Sequence, residues 1–185
     1  MARQQHSALF HATQSDTSLA IQLCYYRGLG EFQTSPWLSH GAALLEQMNG
    51  VTCCGGPTQI ERLLKHYCQA GTANTPVRGL IFVGDACEEV PQTLIALAGQ
   101  CRLLNQPVFV FQEGDDPSAA SIFKEIAQVS GGAYARLNDA SASRLGELLG
   151  AVARYATGGR LALSRSGRES DKLLLGQLPD RPTRS

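Results

Sequence analysis

Two residues of the sequence, Thr58 and Asp85, combine a metal-binding type of side chain with a suitable position. Thr58 follows Gly55-Gly56-Pro57 and precedes a predicted helix, so its hydroxyl could approach a cation. Asp85 ends the apolar run of residues 77–83, where a lone carboxylate is costly unless it lies near solvent or a cation. Hydroxyl and carboxylate oxygens together favour a hard cation such as Mg²⁺ over a phosphate.

Both residues also fit a purely structural role. Thr58-Gln-Ile-Glu61 matches a capping box, in which Thr58 binds the third helical N–H and Glu61 reaches back. A cap and a ligand role do not exclude each other. Asp85 could instead be a loop carboxylate at the positive end of the following helix.

The acidic residues near these two positions have ordinary interpretations. Glu88 and Glu89 are predicted to be a solvated pair at the start of a helix, and Asp116 before Pro117 is predicted to be an N-cap. No histidine follows a buried strand, and the sequence contains no Gly-x-Ser-x-Gly elbow and no Walker-type phosphate loop. The sequence therefore offers little support for an enzyme.

The elements that must position these residues alternate between strand and helix. Residues 18–26 and 31–38 read as a hairpin, and the runs 77–83, 108–111 and 133–137 read as strands buried in a parallel sheet. Helices are predicted at 42–48, 59–70, 91–104, 117–129 and from Ser141 or Ser143 to about 157. This order predicts an α/β fold with a mostly parallel sheet, helices on both faces and an antiparallel edge hairpin.

Composition narrows the class of protein. The 185 residues carry 16 Lys plus Arg and 16 Asp plus Glu, which argues against nucleic-acid and anionic-membrane partners. No run reaches the ~18–20 apolar residues of a membrane span, and the first residues lack the apolar core of a secretory signal. The six cysteines form no Cys-x-x-Cys pair, and Cys24, Cys68 and Cys101 are expected to be small buried residues of a reduced, cytoplasmic protein.

Four stretches resemble the von Willebrand factor A (vWA) domain, and in particular small bacterial vWA-domain proteins. They are Leu23-Cys-Tyr-Tyr-Arg-Gly28, Gly55-Gly-Pro-Thr-Gln59, Leu80-Ile-Phe-Val-Gly-Asp85 and Val110-Phe-Gln-Glu-Gly114. The resemblance implies a Rossmann-like interaction module that is not an enzyme. It also implies a metal-ion-dependent adhesion site, in which Thr58 and Asp85 take the threonine and aspartate places and a partner's carboxylate completes the coordination.

One part of the vWA pattern has no counterpart in this sequence. The motif Asp-x-Ser-x-Ser and the first central strand that carries it are missing; residues 2–12 read as a helix, and Asp16-Thr17-Ser18 precedes a strand. The resemblance would place the missing strand between the hairpin and the strand at 77–83. We therefore expect marginal stability, a swapped homodimer, or direct pairing of these two neighbours. Magnesium held by Thr58 and Asp85 alone should bind weakly.

The sequence thus predicts one vWA-like domain over residues 1–159 and a C-terminal extension over 160–185, with a short helix and a flexible tail. The leading functional hypothesis is a module that binds another protein through an incomplete metal site. The alternative is a Rossmann-like enzyme or binding protein that takes a phosphorylated small molecule at the 53–58 loop. A scaffold without any ligand is the third possibility.

Overall fold

The computed structural model describes residues 19–39, 41–52, 54–71, 75–137 and 141–180. The predicted N-terminal helix at 2–12, the Asp16-Thr17-Ser18 turn, Cys53 and the tail at 181–185 lie outside these ranges. No helix in the described ranges has the length and apolar character needed to cross a membrane.

The chain first forms an antiparallel hairpin. Strand β1 (Cys24–Arg27) pairs with β2 (Glu31–Thr34), so that Tyr26 lies opposite Phe32. Gly28 and Gly30 have φ angles of 54° and 91°, a left-handed conformation that glycine adopts without strain. A separate bridge between Ile21 and Leu38 extends the contact between the two arms.

A parallel sheet forms the centre of the molecule. Its strands β3 (Leu80–Gly84), β4 (Val108–Gln112) and β5 (Tyr134–Arg136) are ordered β3-β4-β5. All five residues of β4 are buried. A continuous apolar run is what a central parallel strand requires, because helices cover both of its faces.

Helices follow the strands as the sequence predicted. They are α1 (Gly41–Asn49), α2 (Ile60–Ala70), α3 (Pro91–Leu103), α4 (Pro117–Ser130), α5 (Ser141–Ser166) and α6 (Glu169–Leu175). Helix α5 is broken at Gly159, whose φ of 62° and ψ of −157° are not helical. Asp116 caps α4, accepting hydrogen bonds from the N–H groups of Ser118 at 2.8 Å and Ala119 at 3.4 Å.

Two apolar cores lie on opposite faces of the sheet. Helices α2, α3 and α4 pack on Phe82, Val108 and Val110, and the hairpin adds Tyr26 and Phe32 to this first core. Helices α5 and α6 pack on the other face, against Phe109 and Phe111. Alternate residues of β4 therefore serve opposite cores, as the two-residue period of a strand demands. The predicted α/β architecture with helices on both faces is confirmed.

The hairpin and β3 do not pair directly. Within the described ranges, β1 and β2 form one sheet and β3, β4 and β5 form another, so the expectation of direct pairing is wrong. The side chains of the hairpin reach the first core, but the backbones of β1 and β3 share no ladder.

Apolar side chains between residues 160 and 180 pack on the second core. Leu163, Leu174 and Leu178 are buried there, with exposed fractions of 1%, 0% and 5%. Asp171 of α6 is fully buried and accepts hydrogen bonds from Nε and a terminal nitrogen of Arg154 at 3.1 and 2.7 Å. The division of the chain at residue 159 stays a prediction.

Candidate functional site

The hairpin turn touches the loop that precedes α2. The N–H of Gly28 donates a hydrogen bond to the carbonyl oxygen of Cys54 at 3.3 Å, and Arg27 donates to the carbonyl of Thr52 at 3.1 Å. A Cβ atom at Gly56 would lie 2.1 Å from the carbonyl oxygen of Gly28, closer than real Cβ contacts allow. Only glycine permits this approach, so the turn and the loop are fixed against each other.

Thr58 binds the loop that follows β3. Its N–H donates to Oε2 of Glu88 at 3.0 Å, and its hydroxyl oxygen accepts a hydrogen bond from the N–H of Glu88 at 3.2 Å. Hydrogen bonding from Thr58 to the carboxylate, above all from its backbone N–H, lowers the pKa of Glu88 below its ordinary value, because it stabilises the charged form. The reciprocal pair attaches the loop before α2 to the loop before α3.

The predicted capping box is wrong. Helix α2 begins at Ile60, and the preceding Gln59 makes no side-chain cap. Glu61 does not reach back but pairs with Lys65 one turn further on, at 2.5 Å. The reason is tertiary: the loop after β3 supplies a better acceptor for the N–H groups than the local residues can.

Glu89 caps α2 from outside the helix. Its carboxylate accepts hydrogen bonds from the N–H groups of Ile60 at 2.5 Å and Glu61 at 2.9 Å. A carboxylate is stabilised at a helix N-terminus both by these donors and by the helix dipole. Glu88 is exposed, as expected of a solvated residue, but Glu89 is partly buried and bonded to α2, so the expectation of a solvated pair is wrong for Glu89.

Asp85 is exposed at the end of β3, at the start of the same loop. The hydroxyl of Tyr26, in the hairpin, has a raised pKa. Burial is the largest cause, and the negative charges of Glu89, Asp85 and Glu88 raise the pKa further. The 85–89 loop thus has Tyr26 beside it and Thr58 bonded to it. We call Thr58 and residues 85–89 the acidic rim.

The acidic rim contains the two oxygen donors that the sequence analysis singled out. The hydroxyl oxygen of Thr58 has two lone pairs and uses one for Glu88, so its other lone pair can meet a cation. Asp85 supplies a carboxylate. Among the residues that the structure describes, however, no three His, Cys, Asp or Glu side chains are grouped as metal ligands. The donor chemistry fits Mg²⁺, with water needed for the remaining positions.

A phosphate would meet a different environment at the start of α2. The N–H groups of Ile60 and Glu61, which a helix N-terminus would offer to an anion, are already bonded to Glu89. Glu88 accepts the N–H of Thr58 beside them. An added phosphate would therefore face two carboxylates and would have to displace one of them.

Sequence reasoning singled out Thr58 and Asp85, which stay a prediction, and missed the hydrogen bonds of Glu88 and Glu89. Their partners lie 28–30 residues away along the chain. No pattern of neighbouring residues predicts contacts over this separation in sequence. The available signal was topological: the two glutamates follow β3 at the carboxyl edge of the sheet.

Comparisons with known proteins give a likeness at the level of structure. No protein-family model matches the sequence, and no curated protein matches it either. The fold resembles that of an aerotolerance-related membrane protein from Bacteroides fragilis, with a TM-score of 0.63 and 14% identity over 80% of this chain and 85% of that chain. It also resembles the VWA domain of SpRpn10, with a TM-score of 0.62 and 12% identity over 79% of this chain and 81% of that domain.

At sequence identities of 14% and 12%, the similarity to these two structures is evidence about the fold alone. Its coverage includes most of the chain, and it agrees with the parallel sheet between two helical layers. The protein is therefore a vWA-like domain in its fold.

Proposed function

We propose that this vWA-like domain binds another protein at the acidic rim and that Thr58 and Asp85 hold a weakly bound Mg²⁺ there. The observation that carries the proposal is the reciprocal hydrogen bond between Thr58 and Glu88. It joins the threonine loop to the loop that begins with Asp85, although the two are about 30 residues apart in sequence. An acidic side chain of the partner would complete the coordination of the ion.

The surface beside the rim supports a protein partner. Leu29, at the tip of the hairpin, is 98% exposed, and Val90, directly after Glu89, is 62% exposed. The turn that carries Leu29 is bonded to the loop before Thr58. Exposed apolar side chains next to a polar site are typical of an interface that excludes water around a polar contact.

The phosphate-binding alternative has less support. The start of α2 is already capped by Glu89, and the loop around it carries negative charge. A cation relieves this charge, whereas a phosphate would add to it. We therefore favour a non-enzymatic interaction module over an enzyme for a phosphorylated small molecule.

Calorimetric titration of the full chain with MgCl₂ tests the metal part of the proposal. We expect binding weaker than about 10 μM, because two protein oxygens leave most of an octahedral shell to water. T58A and D85A should abolish the heat of binding. D115A, which removes an exposed carboxylate from the loop after β4, is the matched control and should retain it. Submicromolar affinity, or binding that survives D85A, would contradict the incomplete site.

The partner part needs its own measurement. Proteins cross-linked to the full chain should be recovered in the presence of Mg²⁺ and lost with EDTA or in D85A, while D115A behaves as wild type. If the same proteins are recovered without Mg²⁺ and with the D85A variant, the acidic rim has no role in partner binding.

A further inference from the structure

Two cysteines face each other between α2 and α3. Cys68 lies near the C-terminal end of α2 and Cys101 near the C-terminal end of α3, and their sulfur atoms are 3.3 Å apart. Cys101 is fully buried, whereas Cys68 is partly accessible. The contact joins residues 33 positions apart in sequence, so it depends on the packing of the two helices.

The 3.3 Å between the two sulfur atoms is the distance of two thiols in van der Waals contact. A disulfide needs the sulfur atoms at about 2.0 Å, so they must approach by little more than 1 Å. A small rotation about χ1 of one side chain moves a sulfur by this amount. Of the other described cysteines, Cys24 donates to Gln22, Cys54 is exposed and Cys87 lies in the acidic rim.

We propose that Cys68 and Cys101 form a reversible disulfide that fastens α2 to α3. The pair is a modification site for a low-molecular-weight disulfide such as oxidised glutathione. This site is independent of the proposed metal and partner binding, since it lies at the opposite end of both helices from Thr58 and Glu89.

The reaction has two exchange steps. The Cys68 thiolate attacks one sulfur of the glutathione disulfide and releases one glutathione thiolate, which gives a mixed disulfide on Cys68. The Cys101 thiolate then attacks the Cys68 sulfur and releases the second glutathione. In total, two protein thiols are oxidised, one disulfide reagent is reduced to two thiols, and the two protons pass to the released thiolates.

Accessibility sets the order of these steps. Cys68 can meet the reagent at the surface, whereas Cys101 has no exposed area. Burial, and to a smaller extent the hydrogen bond with Cys68, also raise the pKa of the Cys101 thiol, which makes it the less reactive of the two toward the reagent. Cys101 is therefore placed to react only with a sulfur that is delivered to it.

The disulfide would attach α2 to its neighbours at a second point. At its N-terminal end, α2 is already bonded to Glu89, two residues before α3 begins. At its C-terminal end, the disulfide would join α2 to α3 covalently. Oxidation should therefore stabilise this helix pair, while reduction leaves it held by the hydrogen bonds to Glu89 and by apolar packing.

Mass spectrometry of the full chain tests the proposal. Glutathione disulfide is added to the C53S/C54S variant, which removes the adjacent pair that could react on its own. We expect a mass loss of about 2 Da for each closed disulfide, reversed by dithiothreitol. Non-reducing tryptic digestion should link peptide 66–78, with Cys68, to peptide 79–102, with Cys87 and Cys101.

Single cysteine-to-serine substitutions identify the two cysteines that form the disulfide. The link should persist in C87S and C24S and disappear in C68S, and oxidation should raise Tm by about 5 °C or more in the forms that close. A mixed disulfide that stays on Cys68 without closing, a link through Cys87, or an unchanged mass under these conditions would each overturn the proposal.

Discussion

At the scale of single residues, Gly56 fixes the geometry of the threonine loop. A Cβ atom there would lie 2.1 Å from the carbonyl oxygen of Gly28, whereas a Cβ at the neighbouring Gly55 would meet nothing within 4 Å. We expect G56A to lower the free energy of unfolding by about 1–3 kcal/mol, because backbone atoms must move apart. G55A is the control and should stay within about 0.5 kcal/mol of wild type in urea unfolding. Equal effects of the two substitutions would contradict the close approach.

Glu88 should make stability depend on pH. Its pKa in the folded state lies below the ordinary value of 4.5, because Thr58 donates to its carboxylate. A lowered carboxylate pKa stabilises the fold above the unfolded pKa, and this contribution is lost as the pH falls through the folded pKa.

We therefore expect E88Q to be less stable than wild type at pH 7 by less than about 1 kcal/mol, since the group is exposed. The difference should shrink as the pH falls from 4.5 toward pH 3, through the lowered folded-state pKa. Urea unfolding at both pH values measures it. A difference that stays constant between pH 7 and pH 3 would show that the Thr58 bond does not favour the charged form.

At the scale of elements, Glu89 is a cap that one helix receives from another loop. It accepts two N–H groups of α2, so E89A should lower the free energy of unfolding by about 1–2 kcal/mol. E89Q should lose less, because its amide oxygen can still accept. E125A, an exposed glutamate of α4, is the control and should change little. Amide exchange at Ile60 and Glu61 should accelerate in E89A; unchanged exchange would contradict the cap.

Arg154 and Asp171 hold α6 to α5. The Asp171 side chain has no exposed area, and loss of its cation would leave a buried carboxylate unpaired. We expect R154A to lower the free energy of unfolding by about 3 kcal/mol in a urea titration.

R144A is the matched control for R154A. Arg144 lies on the same helix and pairs with Glu147 at the surface, so its loss should cost less than about 1 kcal/mol. If R154A were as mild as R144A, the buried pair would not anchor α6.

The elements themselves were largely predictable from sequence. The apolar run ending at Phe111 predicted a central strand, and Asp116-Pro117 predicted the start of α4, because both signals are local. The capping box failed because Glu89, a residue from another loop, competes for the same N–H groups. The Arg154–Asp171 pair spans 17 positions and two helices, so no local pattern indicates it.

At the scale of the whole molecule, the fold brings residues from distant parts of the chain to one edge of the parallel sheet. Thr58 precedes α2 and Asp85 follows β3, yet Thr58 is bonded to Glu88 in the loop that Asp85 begins. The direction of parallel strands explains why the loop with Asp85 lies at the carboxyl edge of the sheet, whereas the threonine loop lies between α1 and α2 and follows no described strand of that sheet. Topology therefore predicts the place of the Asp85 loop but not its meeting with the threonine loop. It could not predict which hydrogen bonds would join them.

The central claim is that Thr58 and Asp85 together hold a cation at this edge. Mn²⁺, which takes the same oxygen ligands as Mg²⁺, broadens the NMR signals of nearby amides and so locates the ion directly. The account predicts that a titration of the full chain broadens the amides of Thr58 and Asp85 first, and that D85N removes the effect while D115N does not. Broadening that begins at the Asp115 loop, or that persists in D85N, would contradict it.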